Sequence, residues 1–228
     1  MRLIDQLLEV RKRQNSQLKL KLESTEVIGF FHGIYDQFSE TAQLKQITYT
    51  FSSSEESMDM LLDKSKMEKV LFNLLSNAFK HTPNGGHIHV DIQIDREEHH
   101  LYLKVSDSGI GIPEDKQHLL FVRFKQINYT TSGIGIGLHL ASEFINLHKG
   151  EIKYSDSPWK GACFTVSIPT DPGVYTAKDL MEPEYARIQE DILQSQPITI
   201  TTDSKKATGK PPVVRQGYKL LLIEDDEE

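Results

Sequence analysis

The stretch Lys66–His81, KMEKVLFNLLSNAFKH, constrains the fold of this chain more than any other. Met67, Val70, Leu71, Leu74, Leu75 and Ala78 recur at the i, i+3, i+4, i+7 spacing of a helix with one face in a core. A polar stripe runs along another side, where Asn73, Asn77, Lys80 and His81 fall at i, i+4, i+7 and i+8. An amide oxygen there can ligate a hard cation such as Mg²⁺, and a neighbouring lysine can take phosphate charge. A solvated helix face has the same pattern, so the stripe by itself leaves both readings open.

The 228 residues suffice for one sizeable core with extra segments, or for one domain plus pieces of others. With 26 Lys+Arg against 33 Asp+Glu the net charge is −7, which disfavours binding nucleic acid. The single cysteine, Cys163, excludes an internal disulfide and fits a reducing compartment. No apolar run approaches the roughly 18–20 residues of a membrane helix. The N-terminal MRLIDQLLEVRKRQ carries charge where an export signal needs an apolar core. The expectation is a soluble, cytoplasmic portion.

Periodicity divides the chain. Residues 1–17 read as the end of an amphipathic helix begun upstream, with Leu3, Leu7, Leu8 and Val10 on one side. Residues 18–170 hold the body. Alternation at 18–24 predicts a strand, helical spacing covers 25–45, and Ile47, Tyr49 and Phe51 alternate as a strand. The central helix is capped by Asp63, or by Ser65 with Glu68 in a capping box. After the turn TPNGG come two alternating runs, Ile88–Ile94 and Leu101–Val105, which predict a β-hairpin with one buried face. Pro113, Glu114 and Asp115 predict a helix start, giving a helix over 113–124. Another helix runs from the 133–137 glycine cluster to about His148 and ends at Gly150. Ile152 with Tyr154, and Ala162 to Ile168, are the last strands. The fold class expected is α+β: a two-layer α/β sandwich with a mixed, mostly antiparallel sheet of about five strands on about three helices. Residues 171–217 read as a Pro- and Thr-rich linker with a short helix from Ala177 to about Leu193, and 218–228 as an apolar strand running into acids.

Asp107 is the most informative single residue. It continues the parity of Leu101, Leu103 and Val105, so it points to the buried face at the end of its strand. A carboxylate there needs a partner, and Gly109, Gly111 and Ile112 follow in a stretch whose glycines let a ligand approach the backbone. An acceptor-only group in an apolar pocket suits the exocyclic amine of adenine and repels the carbonyl of guanine. A simple turn after a strand is the competing reading. Gly133, Gly135 and Gly137 precede a helix whose free N–H groups form an anion site for phosphates. Between the glycine clusters, residues 128–132 suit a closing lid anchored by Phe121 and Phe124.

The order of these motifs strongly resembles the ATP-binding catalytic domain of bacterial sensor histidine kinases, of the Bergerat-fold ATPase group. Asn73, Asn77 and Lys80 match its asparagine box. Asp107, Gly109 and Gly111 match the first glycine box, and Phe121 with Phe124 the phenylalanine box. Gly133 to Leu138 match the second glycine box, and Gly161 with Phe164 the last strand. The resemblance implies Mg-ATP bound with Asp107 on adenine, Asn77 on Mg²⁺ and Asn73 beside it. Lys80 and His81 would lie near the phosphates, and Gly133, Gly135, Gly137 and Leu138 would wrap them. By the same resemblance residues 1–17 are the end of a dimerisation and phosphoacceptor hairpin, and 218–228 the first strand of a receiver domain. A hybrid kinase is implied, its full-length form a membrane-anchored homodimer with the hairpin and receiver as partners.

Water-activating relatives carry a glutamate where this chain has Asn73, which cannot act as a base; Glu68 lies about 140° away around the helix. Phosphoryl transfer to a protein histidine with poor hydrolysis is therefore expected. None of the nine histidines is followed by the Glu-x-x-x-Pro of family acceptors, so this chain is not expected to autophosphorylate. His87, His89, His99 and His100 flank the hairpin and are expected to face solvent, with a fortuitous metal site as the alternative. His139 and His148 are expected at the surface or in packing, and Trp159 receives no role. Ile134 stands where the family often has threonine, and the last strand's box has one glycine; neither removes a backbone phosphate donor. A degenerate nucleotide-binding or docking module is the alternative function.

Overall fold

The computed structural model describes residues 19–123, 136–176 and 179. The expectations for residues 1–17, for the linker beyond residue 179 and for 218–228 lie outside them. In chain order the elements are β1 (Glu23–Glu26), α1 (Val27–Asp36), α2 (Ser39–Leu44), β2 (Thr48–Ser53), β3 (Asp59–Leu62) and α3 (Lys64–His81). They continue with β4 (His87–Asp95), β5 (His100–Asp107), α4 (Glu114–Gln117), α5 (Gly137–Leu147), β6 (Glu151–Asp156) and β7 (Ala162–Pro169).

The alternating runs build the main sheet. Its order is β2-β4-β5-β7-β6, with β2 parallel to β4 and every other pairing antiparallel. Period 2 puts each apolar row on one face. Val90 pairs with Val105, which pairs with Phe164; Ile92 pairs with Leu103, which pairs with Val166. Those residues are buried, while the alternate row of Asp91, Lys104 and Thr165 is only half-buried. The helices cover the apolar face. Met67, Val70, Leu71, Leu74 and Leu75 of α3 and Phe144 and Ile145 of α5 are each 0% exposed. Each such side chain contributes about 1.5–3 kcal/mol by leaving water. This is the expected sandwich, with a two-stranded β1–β3 sheet added.

The helical spacing over 25–45 resolves into two helices. The break at Gln37 and Phe38 lets Phe38 turn inward, where it stacks on Phe79 and packs against Phe72 of α3. The strand expected at 18–24 lies instead at Glu23–Glu26, because its partner β3 pairs Glu23 with Leu62 and Glu26 with Asp59. Strand β3 is four residues long, too short for its alternation to stand out in the sequence. The 113–124 helix is α-helical only over Glu114–Gln117. Beyond it Leu119, Leu120 and Val122 bond three residues back, the tighter i→i−3 pattern of turns. Of the two cap candidates Asp63 is the N-cap of α3: its side chain accepts from Lys66 N–H, and Ser65 lies inside the first turn.

Candidate active site

The C-terminal half of α3, the end of β5 and the start of α5 converge. Asn73 and Asn77 are half-buried, one helical turn apart. The Asn73 amide donates to the Gly137 carbonyl at 3.3 Å, and a Cβ on Gly137 would lie 3.1 Å from Asn73 Oδ1. A glycine there lets the first turn of α5 approach α3 closely. Leu138 follows, half-buried; Phe124, Gly133 and Gly135 lie outside the described residues. Lys80 is exposed, and His81 is half-buried with its pKa lowered by burial and by the Lys80 charge. Next to it the Thr82 hydroxyl is buried, with no hydrogen-bond partner among the described residues.

Asp107 is 4% exposed. Its Oδ1 accepts from Gly109 N–H at 2.8 Å and Ala162 N–H at 3.1 Å, and among the described residues nothing donates to Oδ2. Burial raises its pKa, while the Gly109 and Ala162 N–H donors pull it down. The glycines around it are sterically required. A Cβ on Gly109 would sit 2.7 Å from the His81 carbonyl oxygen. One on Gly161 would sit 2.5 Å from Gly109 N and inside contact of the Asp107 carbonyl. Gly111 has φ +64°, a left-handed conformation that favours glycine. Ile112 N–H donates to the Tyr154 hydroxyl, which in turn donates to Asp156. Asp107, Gly109, Gly111, Ile112, His81, Asn73 and Gly137 therefore lie on adjoining elements.

Sequence reasoning missed several contacts here. Ser157 is buried and donates to the Asp107 carbonyl. Its only sequence signal was a turn composition, Ser-Pro-Trp-Lys-Gly. His148 is 0% exposed: its Nδ1 contacts the Phe144 carbonyl at 2.7 Å, and Asp63 N–H donates to its Nε2 at 3.2 Å. His139 Nδ1 contacts the Phe121 carbonyl at 3.0 Å, tying α5 to the turns that follow α4. Among the described residues no group of three or more His, Cys, Asp or Glu is set to hold a metal ion. His89 is engaged instead with Thr50 and Ser52, and His100 with the Glu98 carbonyl.

Residues 62–172 match the family described as histidine kinase-, DNA gyrase B- and HSP90-like ATPase. Histidine kinase P4 of Formosa agariphila is 37% identical over 181 residues, 76% of this chain and 13% of that protein. Sensor histidine kinase TmoS of Ectopseudomonas mendocina is 35% identical over 78% of this chain and 19% of its own length. The chain thus spans less than a fifth of these two relatives. A nucleotide-free structure of the catalytic domain of histidine kinase ThkA superposes with a TM-score of 0.61 at 25% identity, covering 67% of this chain and all of that one. Fold, converging motifs and these similarities agree: residues 62–172 form a domain of the histidine kinase-, DNA gyrase B- and HSP90-like ATPase family, with the Bergerat fold of histidine kinase catalytic domains.

Proposed function

We propose that this domain binds Mg-ATP and transfers the γ-phosphoryl group to a histidine on a helical hairpin, for relay to a receiver aspartate in a hybrid kinase. The observation that carries the reading is the divided carboxylate of Asp107. Oδ1 is saturated by two backbone donors and packed against Gly109 and Gly161, where a Cβ would collide with it, which leaves Oδ2 as the oxygen for a ligand N–H. An acceptor with no proton to give selects the adenine amine over the guanine carbonyl. The amide oxygen of Asn77 fits a Mg²⁺ that takes few protein ligands and completes its shell with phosphate and water. Asn77 is the assigned metal ligand, with Asn73 beside it. Bound Mg²⁺ would supply charge neutralisation for the phosphates, with Lys80 and His81 near them. Gly133, Gly135, Gly137 and Leu138 would wrap the triphosphate with backbone donors.

Asn73 cannot take a proton, so nothing at that position activates water, and transfer to a protein acceptor is favoured over hydrolysis. Catalysis rests on positioning and charge neutralisation. The acceptor hairpin and receiver belong to the full-length protein, proposed as a membrane-anchored homodimer with this portion cytoplasmic; no nucleic acid is involved. No helix among the described residues is long and apolar enough to cross a membrane.

Calorimetric titration with ADP and GDP, with and without Mg²⁺, tests the binding step. ADP-selective binding strengthened by Mg²⁺ is expected, whereas no binding of either nucleotide leaves the docking-module alternative. Incubation with radiolabelled ATP and a separately supplied kinase hairpin tests transfer, and label on the hairpin histidine is the expected result.

A further inference from the structure

Strand β7 is preceded by the turn Ser157–Gly161, and one hydroxyl organises it. Ser157 is 6% exposed. Its Oγ donates to the Asp107 carbonyl and accepts from Trp159 N–H at 3.2 Å and Gly161 N–H at 3.1 Å. One donor and two acceptor positions exhaust what a serine hydroxyl has. Ser157 N–H also donates to the Gly161 carbonyl at 2.9 Å, and Lys160 N–H to the Ser157 carbonyl at 3.0 Å. Within the turn Lys160 takes φ +66°, a left-handed conformation for a residue with a Cβ. Such a conformation persists only where its surroundings hold it, and these hydrogen bonds do so. Outside the turn the Trp159 ring stacks on His87 with centroids 5.6 Å apart, and His87 N–H donates to Ser108 Oγ.

The turn delivers Gly161 and Ala162 to Asp107. Gly161 lies so close that no Cβ fits between it and the Asp107 backbone, and the next residue, Ala162, donates its N–H to Oδ1. Ser157 therefore holds both ends of one small assembly: the backbone of Asp107, and the strand start that orients its carboxylate. With Oδ1 occupied the carboxylate cannot rotate freely, and Oδ2 keeps one direction. We infer that Ser157 is a positioning residue for nucleotide recognition, acting through Asp107 by locking the 157–161 turn against it. This inference rests on the reading of Asp107 as the adenine acceptor.

The test compares wild type with Ser157→Ala in two measurements. The first needs no nucleotide: amide hydrogen exchange at Gly109 and Ala162 by NMR, referenced to Val105 and Val166 in the neighbouring strands. Faster exchange at Ala162 and Gly109, with the reference amides unchanged, is expected. The second is ADP affinity in a double-mutant cycle with Asp107→Asn. Ser157→Ala should weaken ADP binding about five- to tenfold in the wild-type background and not at all in the Asp107→Asn background. Unchanged exchange, unchanged ADP affinity, or an equal loss in both backgrounds would each overturn the inference. Should wild type bind no ADP, the adenine reading fails while the exchange data still decide whether Ser157 holds the carboxylate. Ser157→Cys, which keeps the shape with a weaker donor, serves if the alanine variant does not fold.

Discussion

Replacing Asp107 by asparagine separates the two duties of that side chain. An amide oxygen can still accept from Gly109 N–H and Ala162 N–H, so Oδ1 keeps its place and the domain should unfold at nearly the same urea concentration. The new NH₂ then replaces Oδ2 and, on the proposed adenine reading, would meet the base amine donor to donor. ADP affinity should fall about 10- to 100-fold, the scale of one hydrogen bond to a charged group, while GDP binding falls less or improves. Paired calorimetric titrations check this, and an ADP affinity equal to wild type removes Asp107 from the base. Gly161→Ala has the opposite profile. Its Cβ would meet backbone atoms, Gly109 N and the Asp107 carbonyl, which cannot swing aside. Both stability and ADP binding should suffer, with a stability loss on the scale of overpacking, about 1–3 kcal/mol, read as a lower urea midpoint.

At the scale of elements, α3 is tied at its N-terminus to the end of α5 and to the strand region. The Asp63 carboxylate caps Lys66 N–H, accepts from Lys21 N–H at 2.9 Å and pairs with the Lys66 ammonium, while its backbone N–H donates to His148. Asp63→Ala removes the cap and leaves a half-buried ammonium, a loss of about 2–4 kcal/mol in denaturant unfolding. His148 adds a pH dependence. To accept from Asp63 N–H its Nε2 must be unprotonated, and burial lowers its pKa below the ordinary 6.5, outweighing the upward pulls of the Phe144 hydrogen bond and Asp63. Between the two pKa values the unfolded chain binds a proton that the folded site excludes. The His148 contribution is therefore complete above pH 6.5 and declines as pH falls below it. Urea melts at several pH values should show a shallower acid decline in His148→Ala than in wild type, although that variant starts less stable. Equal slopes would put the acid sensitivity elsewhere, His81 being the next group whose pKa burial lowers.

Across the whole domain, the segments leading into and out of the sandwich meet at one place. Leu20 N–H donates to the Asp179 carbonyl at 2.9 Å, the Asp179 carboxylate pairs with Lys149, and the Tyr175 hydroxyl donates to the His148 carbonyl. The Lys149 and Thr176 contacts hold the Asp179 pKa well below the usual carboxylate range. Leu20 is 1% exposed, so this junction is part of the fold rather than a loose tether. Asp179→Ala should speed amide exchange at Leu20 and Lys21 while leaving β5 and β7 protected, which hydrogen-exchange NMR checks. Protection unchanged at Leu20 would mean the backbone contact holds without the ion pair.

The α3 helix, the alternating strands of the sheet, their apolar faces and the position of Asp107 at the buried end of β5 were legible in the residue order. Each follows from a local period, 3.6 or 2, that the chain carries wherever it packs. It also carried the motif order that placed Asn73, Gly137, Gly109 and Asp107 in one family pattern. The break at Phe38, the short β3 partner of β1, the buried contacts of His148 and the Ser157 hub behind Asp107 came only with the packed fold. Those depend on side chains and backbone donors far apart in the chain, such as Asp107 and Ala162 or Asp63 and His148. No local period records which distant hydrogen bond a buried polar group will find.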